Sequence, residues 1–240
     1  MKTIAIIPAR GGSKRLPNKN ILLLGGIPLI AHSILYAKKN SAIIDEIYVS
    51  TDDEAIKNIA LQYGAKVVDR PESLSGDFEP TVSALQHVVE SLDFEVVNVI
   101  LLQPTNPLRP QNLLKEAFEI YQKGNYDSLF TVSKNHQKLG KIEHNKFIPF
   151  NYEIGQRSQD LHPLYFENGL LYISKAKLIL PLDLACPERS RRARGDSKII
   201  SENAYPYEVD SVFTNVDIDT QEDLDYAEYL IGKHSSFPSL

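Results

Sequence analysis

A single cysteine, Cys186, stands in the 240 residues. It can close no internal disulfide and offers no zinc site, so the fold needs no oxidising compartment. No apolar run approaches the roughly 20 residues that span a membrane, and the N-terminus enters a short apolar run without a signal-peptide pattern. The expectation is a soluble, cytoplasmic protein without a membrane partner. Six histidines, His32, His87, His136, His144, His162 and His234, are scattered without metal-ligand spacing. Neither G-x-x-x-x-G-K-[ST] nor G-x-G-x-x-G occurs, which disfavours a P-loop NTPase and a dinucleotide dehydrogenase, and the absence of G-x-S-x-G leaves a serine hydrolase unsupported. A formal charge of -5 argues against nonspecific nucleic-acid binding. The acids, however, are missing from one place: the first of them is Asp45.

What fills that acid-free stretch is a cation-loaded turn. Residues 8–20 read Pro-Ala-Arg-Gly-Gly-Ser-Lys-Arg-Leu-Pro-Asn-Lys-Asn and follow an apolar run at 4–7. Arg10, Lys14, Arg15 and Lys19 supply positive charge, and Gly11-Gly12 lets backbone approach a ligand closely, with consecutive free amides forming an anion cradle. A local reversal of sign in an acidic chain points to an anion site; a plain basic strand-to-helix loop is the alternative.

Length and a 42% hydrophobic composition suit one α/β domain over 1–240. Apolar runs at 3–7, 47–50, 66–68, 97–102, 129–132 and 169–174 read as strands. Helical patterns lie between them. Pro28 opens one whose apolar face is Leu29, Ile30, Ile34 and Ala37. Thr51 with Glu54 resembles a capping box for a second, 81–92 and 112–121 supply two more, and Thr220 with Asp223 caps a terminal helix carrying Leu224, Ala227 and Leu230. Strands spaced by helices imply a doubly wound, mainly parallel sheet with ligands beyond the strands' carboxyl ends. Between 133 and 160 the rhythm breaks. A hairpin over 141–148 turning at His144-Asn145 marks an inserted segment, a lid, dimer arm or surface excursion. Residues 187–198 carry five cations and two acids without apolar period. They read as a solvated loop, or else a phosphate- or partner-binding arm.

The opening turn resembles the nucleotide-binding signature of the sugar nucleotidyltransferases, and specifically of the acylneuraminate cytidylyltransferases, which join a nonulosonic acid to CMP. Further matching pieces follow in the same order: VSTDDEAI at 49–56, DRPESL at 69–74, LLQPTNPLR at 101–109, ENGLLYIS at 167–174 and VDIDTQEDL at 216–224. The resemblance implies a Rossmann-like nucleotide-diphospho-sugar transferase fold and CTP lying over the loop. Arg10, Gly11, Gly12, Ser13, Lys14 and Lys19 would surround the triphosphate, with Asn20 near the ribose or base and Arg70 and Thr81 also on the nucleotide. Gln103 and Asn168 would meet sugar hydroxyls, while Lys138 and Arg157, from the insertion, would approach the acceptor's carboxylate or the phosphates.

Asp217 and Asp219 lie two residues apart, so on an extended segment both carboxylates project to one side. That suits magnesium or another divalent cation completed by phosphate and water; an acidic pair capping the last helix is the alternative. With Arg10 and Lys19 stabilising phosphate charge and Asp217 holding metal, these three are the expected catalytic residues. Either a metal-polarised hydroxyl or an aspartate would take the acceptor proton. Leu170-Leu171 and Phe166-Glu167 depart from the commoner family pattern on the sugar side. The acceptor thus stays open among N-acetylneuraminate, pseudaminic acid, legionaminic acid and 3-deoxy-manno-octulosonate. The different-class alternative is a noncatalytic nucleotide-binding module. The resemblance also implies a homodimer with 133–160 as its arm.

Overall fold

A computed structural model describes residues 1–180 and 198–233. Except for Lys198, the Arg-rich segment lies outside the described residues, as do Cys186 and His234. The centre is a seven-stranded sheet in the order β11-β7-β10-β6-β1-β4-β5. Its strands are β1 (Lys2–Pro8), β4 (Glu46–Thr51), β5 (Lys66–Asp69), β6 (Val96–Leu101), β7 (Ser128–Asn135), β10 (Leu164–Lys175) and β11 (Ala204–Glu208). β1 runs parallel to both β4 and β6, β4 parallel to β5, and β11 parallel to β7, while β10 is antiparallel to β6 and β7. The sheet is therefore mainly parallel, as the alternation of runs predicts. The strand at 204–208, which has Pro206 in its middle, is one the periodicity does not reveal; it pairs only at the sheet edge, where a missing amide is tolerated.

Parallel strands must be covered on both faces, and the residues of β1 divide accordingly. Ala5 and Ile7 pack with the helices α1 (Leu29–Lys39), α2 (Glu54–Gln62) and α4 (Leu113–Lys123) through Ile34, Ala60 and Leu114. Ile4 and Ile6 face α3 (Thr81–Glu90) and the short α5 (Ala176–Ile179) through Leu85, Val88 and Ile179. All four β1 side chains are fully buried, each isoleucine worth about 2 kcal/mol. A third cluster joins α6 (Gln221–Lys233) to the segment before it through Leu224, Ala227, Val216 and Ile218, with Leu24 from the small ribbon of β2 (Leu23–Leu24) and β3 (Ile27–Pro28) and Leu29 from the start of α1. This packing brings a segment 200 residues downstream against the opening loop.

Two caps differ in kind. The helix α2 begins at Glu54 with Asp53 as its cap, whose carboxylate accepts from the Ile56 amide at 2.9 Å. The expected Thr51–Glu54 box is not formed, because the Thr51 hydroxyl instead accepts from the Asp53 amide and turns the chain. At α6 the expectation holds: the Asp223 carboxylate accepts from the Thr220 amide and hydroxyl, and the Asp223 amide returns a bond to that hydroxyl.

After β7 the chain leaves the sheet in a hairpin, β8 (Gly140–Glu143) and β9 (Lys146–Pro149), turning at His144 and Asn145 with φ of 51° and 60°. Two consecutive left-handed residues make the turn whose twist matches its strands. The hairpin pairs with no strand of the main sheet.

Candidate functional site

The connection after β1 crosses to β4 on one side, whereas β5 returns through α3 to β6 on the other, so β1 is the point where the winding reverses. A crevice opens beyond the carboxyl ends of such strands. Bonds from the Ala9 amide to the Ser50 carbonyl, 2.9 Å, and from Leu102 to Ile6, 3.1 Å, carry the ladder one residue further and fix how the basic loop leaves the sheet.

Three adjoining cavities line this crevice. The first is walled by Arg10, Ser13, Lys14, Lys19, Asn20 and Asp219. The second shares Arg10 and Asp77 with it and adds Arg70, Thr81 and Gln103. The third shares Gln103 with the second and continues to Asn106, Glu167, Asn168, Tyr172 and Asp217. One end of the crevice is thus cationic and the other lined by amides, a phenol and carboxylates.

Within the cationic end every cation but one leans on an acid from elsewhere in the chain. Lys19 Nζ and Arg15 Nη2 each sit 2.6 Å from an oxygen of Asp219. Arg10 lies 3.0 Å from Asp77, and Lys14 pairs with the same carboxylate. Lys14 above all, with Arg10, holds the Asp77 carboxyl below its ordinary range. Arg70 is the exception: it is buried and has no ion pair among the described residues, its guanidinium donating to the Ser50 hydroxyl and carbonyl at 3.0 and 2.7 Å. Burial lowers its pKa, and the nearby Arg10 charge adds to the effect. The second cavity, which Asp77 and Glu79 also line, thus holds one guanidinium paired to an acid and one without an ion pair among the described residues.

Gly11 departs from the expected cradle of consecutive free amides. The Gly11 amide donates to Asp52 Oδ1 at 2.9 Å and the Ser13 amide donates back to the Gly11 carbonyl. A methyl group on Gly11 would stand 2.7 Å from Asp53 Oδ2, so this glycine is needed for loop-to-helix packing. The cavity's positive charge comes from side chains. Asn20 is likewise buried and donates to the Arg10 carbonyl at 3.0 Å, bracing the loop from within rather than offering that amide nitrogen to a ribose or base.

On the opposite end, the Asn168 side chain is consumed by the fold: its Oδ1 accepts from Thr131 Oγ1 at 2.6 Å and from the Leu170 amide, and its Nδ2 donates to Ser133. These bonds pin a register shift in β10 between Glu167 and Tyr172. Asn168 therefore shapes the cavity and keeps at most one amide hydrogen for a sugar hydroxyl. Gly169, at φ 74°, carries the turn, and a methyl group there would come within 2.5 Å of Asn106 Oδ1 and 2.8 Å of Gln103 Oε1. Gly169→Ala should cost about 1–2 kcal/mol from the left-handed backbone alone. For a chain of this size that lowers the melting temperature by at least roughly 2–4 °C; a scan within one degree of the parent would contradict it.

Asp217 and Asp219 do not present one shared face. Asp219 lines the cationic cavity and Asp217 the other end. They remain electrically coupled: the Asp217 pKa is raised, first because the concave walls strip water from its carboxylate and then by the Asp219 charge, against a stabilising bond from Thr105. No ion pair relieves Asp217 among the described residues, and no cluster of three or more His, Cys, Asp or Glu converges there. An under-compensated carboxylate beside a second one fits a hard divalent cation that takes its other ligands from substrate and water. Lys138 and Arg157 stay away from all three cavities. Lys138 donates to the Gln156 carbonyl and Arg157 pairs with Asp160 at 2.8 Å, both on the inserted segment.

Several residues that build the site escaped the sequence reading. Asp77 and Asp52 sit in turns and acquire a role only when folding sets them against the basic loop. Asn106 donates to the carbonyls of Asn168 and Val216, joining the two segments that flank the third cavity. Arg109 had a faint signal: it is the one charged residue in the stretch 101–110 that follows a core strand.

A family model described as cytidylyltransferase matches residues 4–237. The pseudaminic acid cytidylyltransferase of Campylobacter jejuni is 35% identical, over 99% of this chain and 100% of its own. The N-acylneuraminate cytidylyltransferase of Streptococcus agalactiae is 34% identical over 93% of this chain, which spans 52% of that longer protein. Among solved structures, a CMP:2-keto-3-deoxy-manno-octonic acid synthetase complexed with CTP superposes with a TM-score of 0.68, covering 97% of this chain and 99% of that one at 19% identity, a likeness of fold. Among the described residues no helix is long and apolar enough to cross a membrane.

Proposed function

The chain belongs to the cytidylyltransferase family, and from that premise we propose that it transfers the cytidylyl group of CTP to the anomeric hydroxyl of a nonulosonic acid. The observation that carries this reading is the continuous crevice, cationic at one end and lined by amides and carboxylates at the other, with Gln103 between. Arg10, Lys14 and Lys19, with Ser13, take the triphosphate. Arg70 and Thr81 lie next along the crevice, toward the rest of the nucleotide. Gln103 meets the acceptor, whose hydroxyl attacks the α-phosphorus in line. The bond from that phosphorus to the bridging oxygen breaks, its electrons leave with pyrophosphate, and the hydroxyl proton passes to a base. Lysine and arginine positioned where charge collects on the departing oxygens stabilise this step most.

Asp217, which has no ion pair among the described residues, would hold a magnesium ion, with Asp219 joining it once freed from its cation partners; when bound the ion supplies further positive charge to the phosphates. Loading the site requires Lys19 and Arg15 to let go of Asp219, and an arriving triphosphate offers both a stronger anion. Asp77 releases Arg10 and Lys14 in the same way. The protein's own carboxylates hold the cations in place until substrate replaces them.

We also read the inserted hairpin as a dimer arm. Ile142 and Phe147 on the hairpin, with Phe150 and Ile154 in the segment after it, are exposed at 79%, 53%, 66% and 87%. So many large apolar side chains on one excursion mark a surface that a second copy covers. Lys138 and Arg157, remote from their own crevice, would then reach an acceptor carboxylate only in the partner's. Ile142→Asp with Phe150→Asp should halve the mass seen by light scattering; an unchanged mass would remove the arm from the interface.

The acceptor is named by experiment. Purified protein with CTP, magnesium and a panel of N-acetylneuraminate, pseudaminic acid, legionaminic acid and 3-deoxy-manno-octulosonate should release pyrophosphate with at least one nine-carbon acid. Release with none of the four would leave a nucleotide-binding module. The two relatives act on different acids at nearly equal identity, so overall similarity does not rank the candidates.

A further inference from the structure

Arg109 lies at 4% exposure in the loop between β6 and α4, without an acid partner among the described residues. An arginine buried without a carboxylate is costly unless its donors are otherwise satisfied. Here they are satisfied by three segments at once. Nε donates to the Leu170 carbonyl at 2.6 Å, Nη2 to the Gln103 carbonyl at 2.7 Å and Nη1 to the Ser33 hydroxyl of α1 at 3.0 Å, while the guanidinium lies 5.7 Å from the centre of the Tyr36 ring. Burial pushes its pKa down to about 10, which still leaves it charged at neutral pH. The two carbonyls it joins belong to the residue that stands between the second and third cavities and to the turn packed beside it on the lining of the third. Gly169 approaches the Gln103 side chain so closely that no methyl group fits between them.

We propose that Arg109 is a positioning residue for the acceptor: its rigid fork ties the Gln103 carbonyl to the Leu170 carbonyl and so sets the gap between the Gln103 side chain and the Gly169 turn. Resting as it does on the reading that Gln103 meets the acceptor, the proposal separates Arg109 from an arginine that merely stabilises the core. A planar, forked donor is what two carbonyls at a fixed spacing require; lysine keeps the charge but has no fork.

The test is a double-mutant cycle on the full-length protein, with CTP and whichever acid of the panel the parent turns over. Arg109→Lys should raise the acceptor KM about tenfold and leave the CTP KM within about twofold, since one end of the crevice is disturbed. In a Gln103→Ala background the same change should move the acceptor KM by less than about twofold, while its lowering of the melting temperature persists. Equal effects on both substrates, or additive effects on the acceptor, would overturn the proposal. Should Arg109→Lys fail to fold, Ser33→Ala removes a single acceptor from the fork and enters the same cycle with an expected rise of about two- to threefold. If the parent turns over none of the acids, the functional reading fails by itself, and hydrogen exchange decides the inference. Amides at 103–106 and 168–171 should then exchange faster in the variant than in the parent while those at 10–20 do not, and uniform acceleration would sink it.

Discussion

Lys19→Ala lowers kcat/KM for CTP by about a thousandfold, the size of effect seen when one preorganised donor to a developing oxyanion is removed, whereas Lys14→Ala costs about tenfold or less. The structure separates the two lysines. Lys19 has a side chain only 13% exposed, rises from a 3-10 turn at Lys19–Ile21 and reaches Asp219 within the first cavity. Lys14 is 79% exposed and reaches Asp77 across the rim. A charge held by packing keeps its place when phosphate replaces its carboxylate, while a solvated one must be ordered each time and is screened by salt. Raising ionic strength should therefore weaken what Lys14 contributes and spare what Lys19 does. Steady-state kinetics at two salt concentrations check this, and equal losses in the two variants would mean that burial does not rank these cations.

Much of this arrangement is legible in the sequence because it is local. The short apolar runs announce the parallel strands, the acid-free turn after the first of them announces a cationic end, and Thr220 with Asp223 announces a cap that the structure contains. What is not legible is long-range pairing. Nothing near Gly11 says that its amide faces Asp52, and nothing near Asn168 says that Thr131 and Ser133 absorb its side chain. An asparagine in an Asn-Gly turn looks available until the strand beside it is known. The spacing of Asp217 and Asp219 misleads for a related reason: alternation places two carboxylates on one side of an ideal strand, but this segment bonds through the Ile218 amide to the Thr105 carbonyl outside any strand ladder, and the two side chains open into different cavities.

Asp217 yields the other large prediction, in which activity and stability move in opposite directions. Asp217→Asn should reduce turnover by about a thousandfold or more, as loss of a group acting at the reacting phosphate does, yet leave the melting temperature at pH 7.5 no lower than the parent's. The sign follows from its raised pKa, whose first cause is desolvation and whose second is the Asp219 charge. A carboxyl whose folded pKa lies above the unfolded one contributes stability below the unfolded value and loses that contribution as pH rises through the folded value. At neutral pH the ligand-free parent therefore carries an ionised Asp217 that its surroundings disfavour, and asparagine, of the same shape, carries none. The advantage of the variant should shrink as pH falls toward the ordinary aspartate range and vanish below it. Glu46 behaves in the opposite sense: Lys2 and Lys66, with Tyr48, hold its pKa down to about 2, so its contribution disappears in acid. Because Glu46 is common to both proteins, it cancels in the difference between their melting curves. Melting scans of the pair from pH 4 to 8, without nucleotide or metal, make the comparison. A variant that melts lower at pH 7.5 would show that Asp217 stabilises the fold, and with that its strained charge would no longer mark it as a group kept for a cation or a substrate.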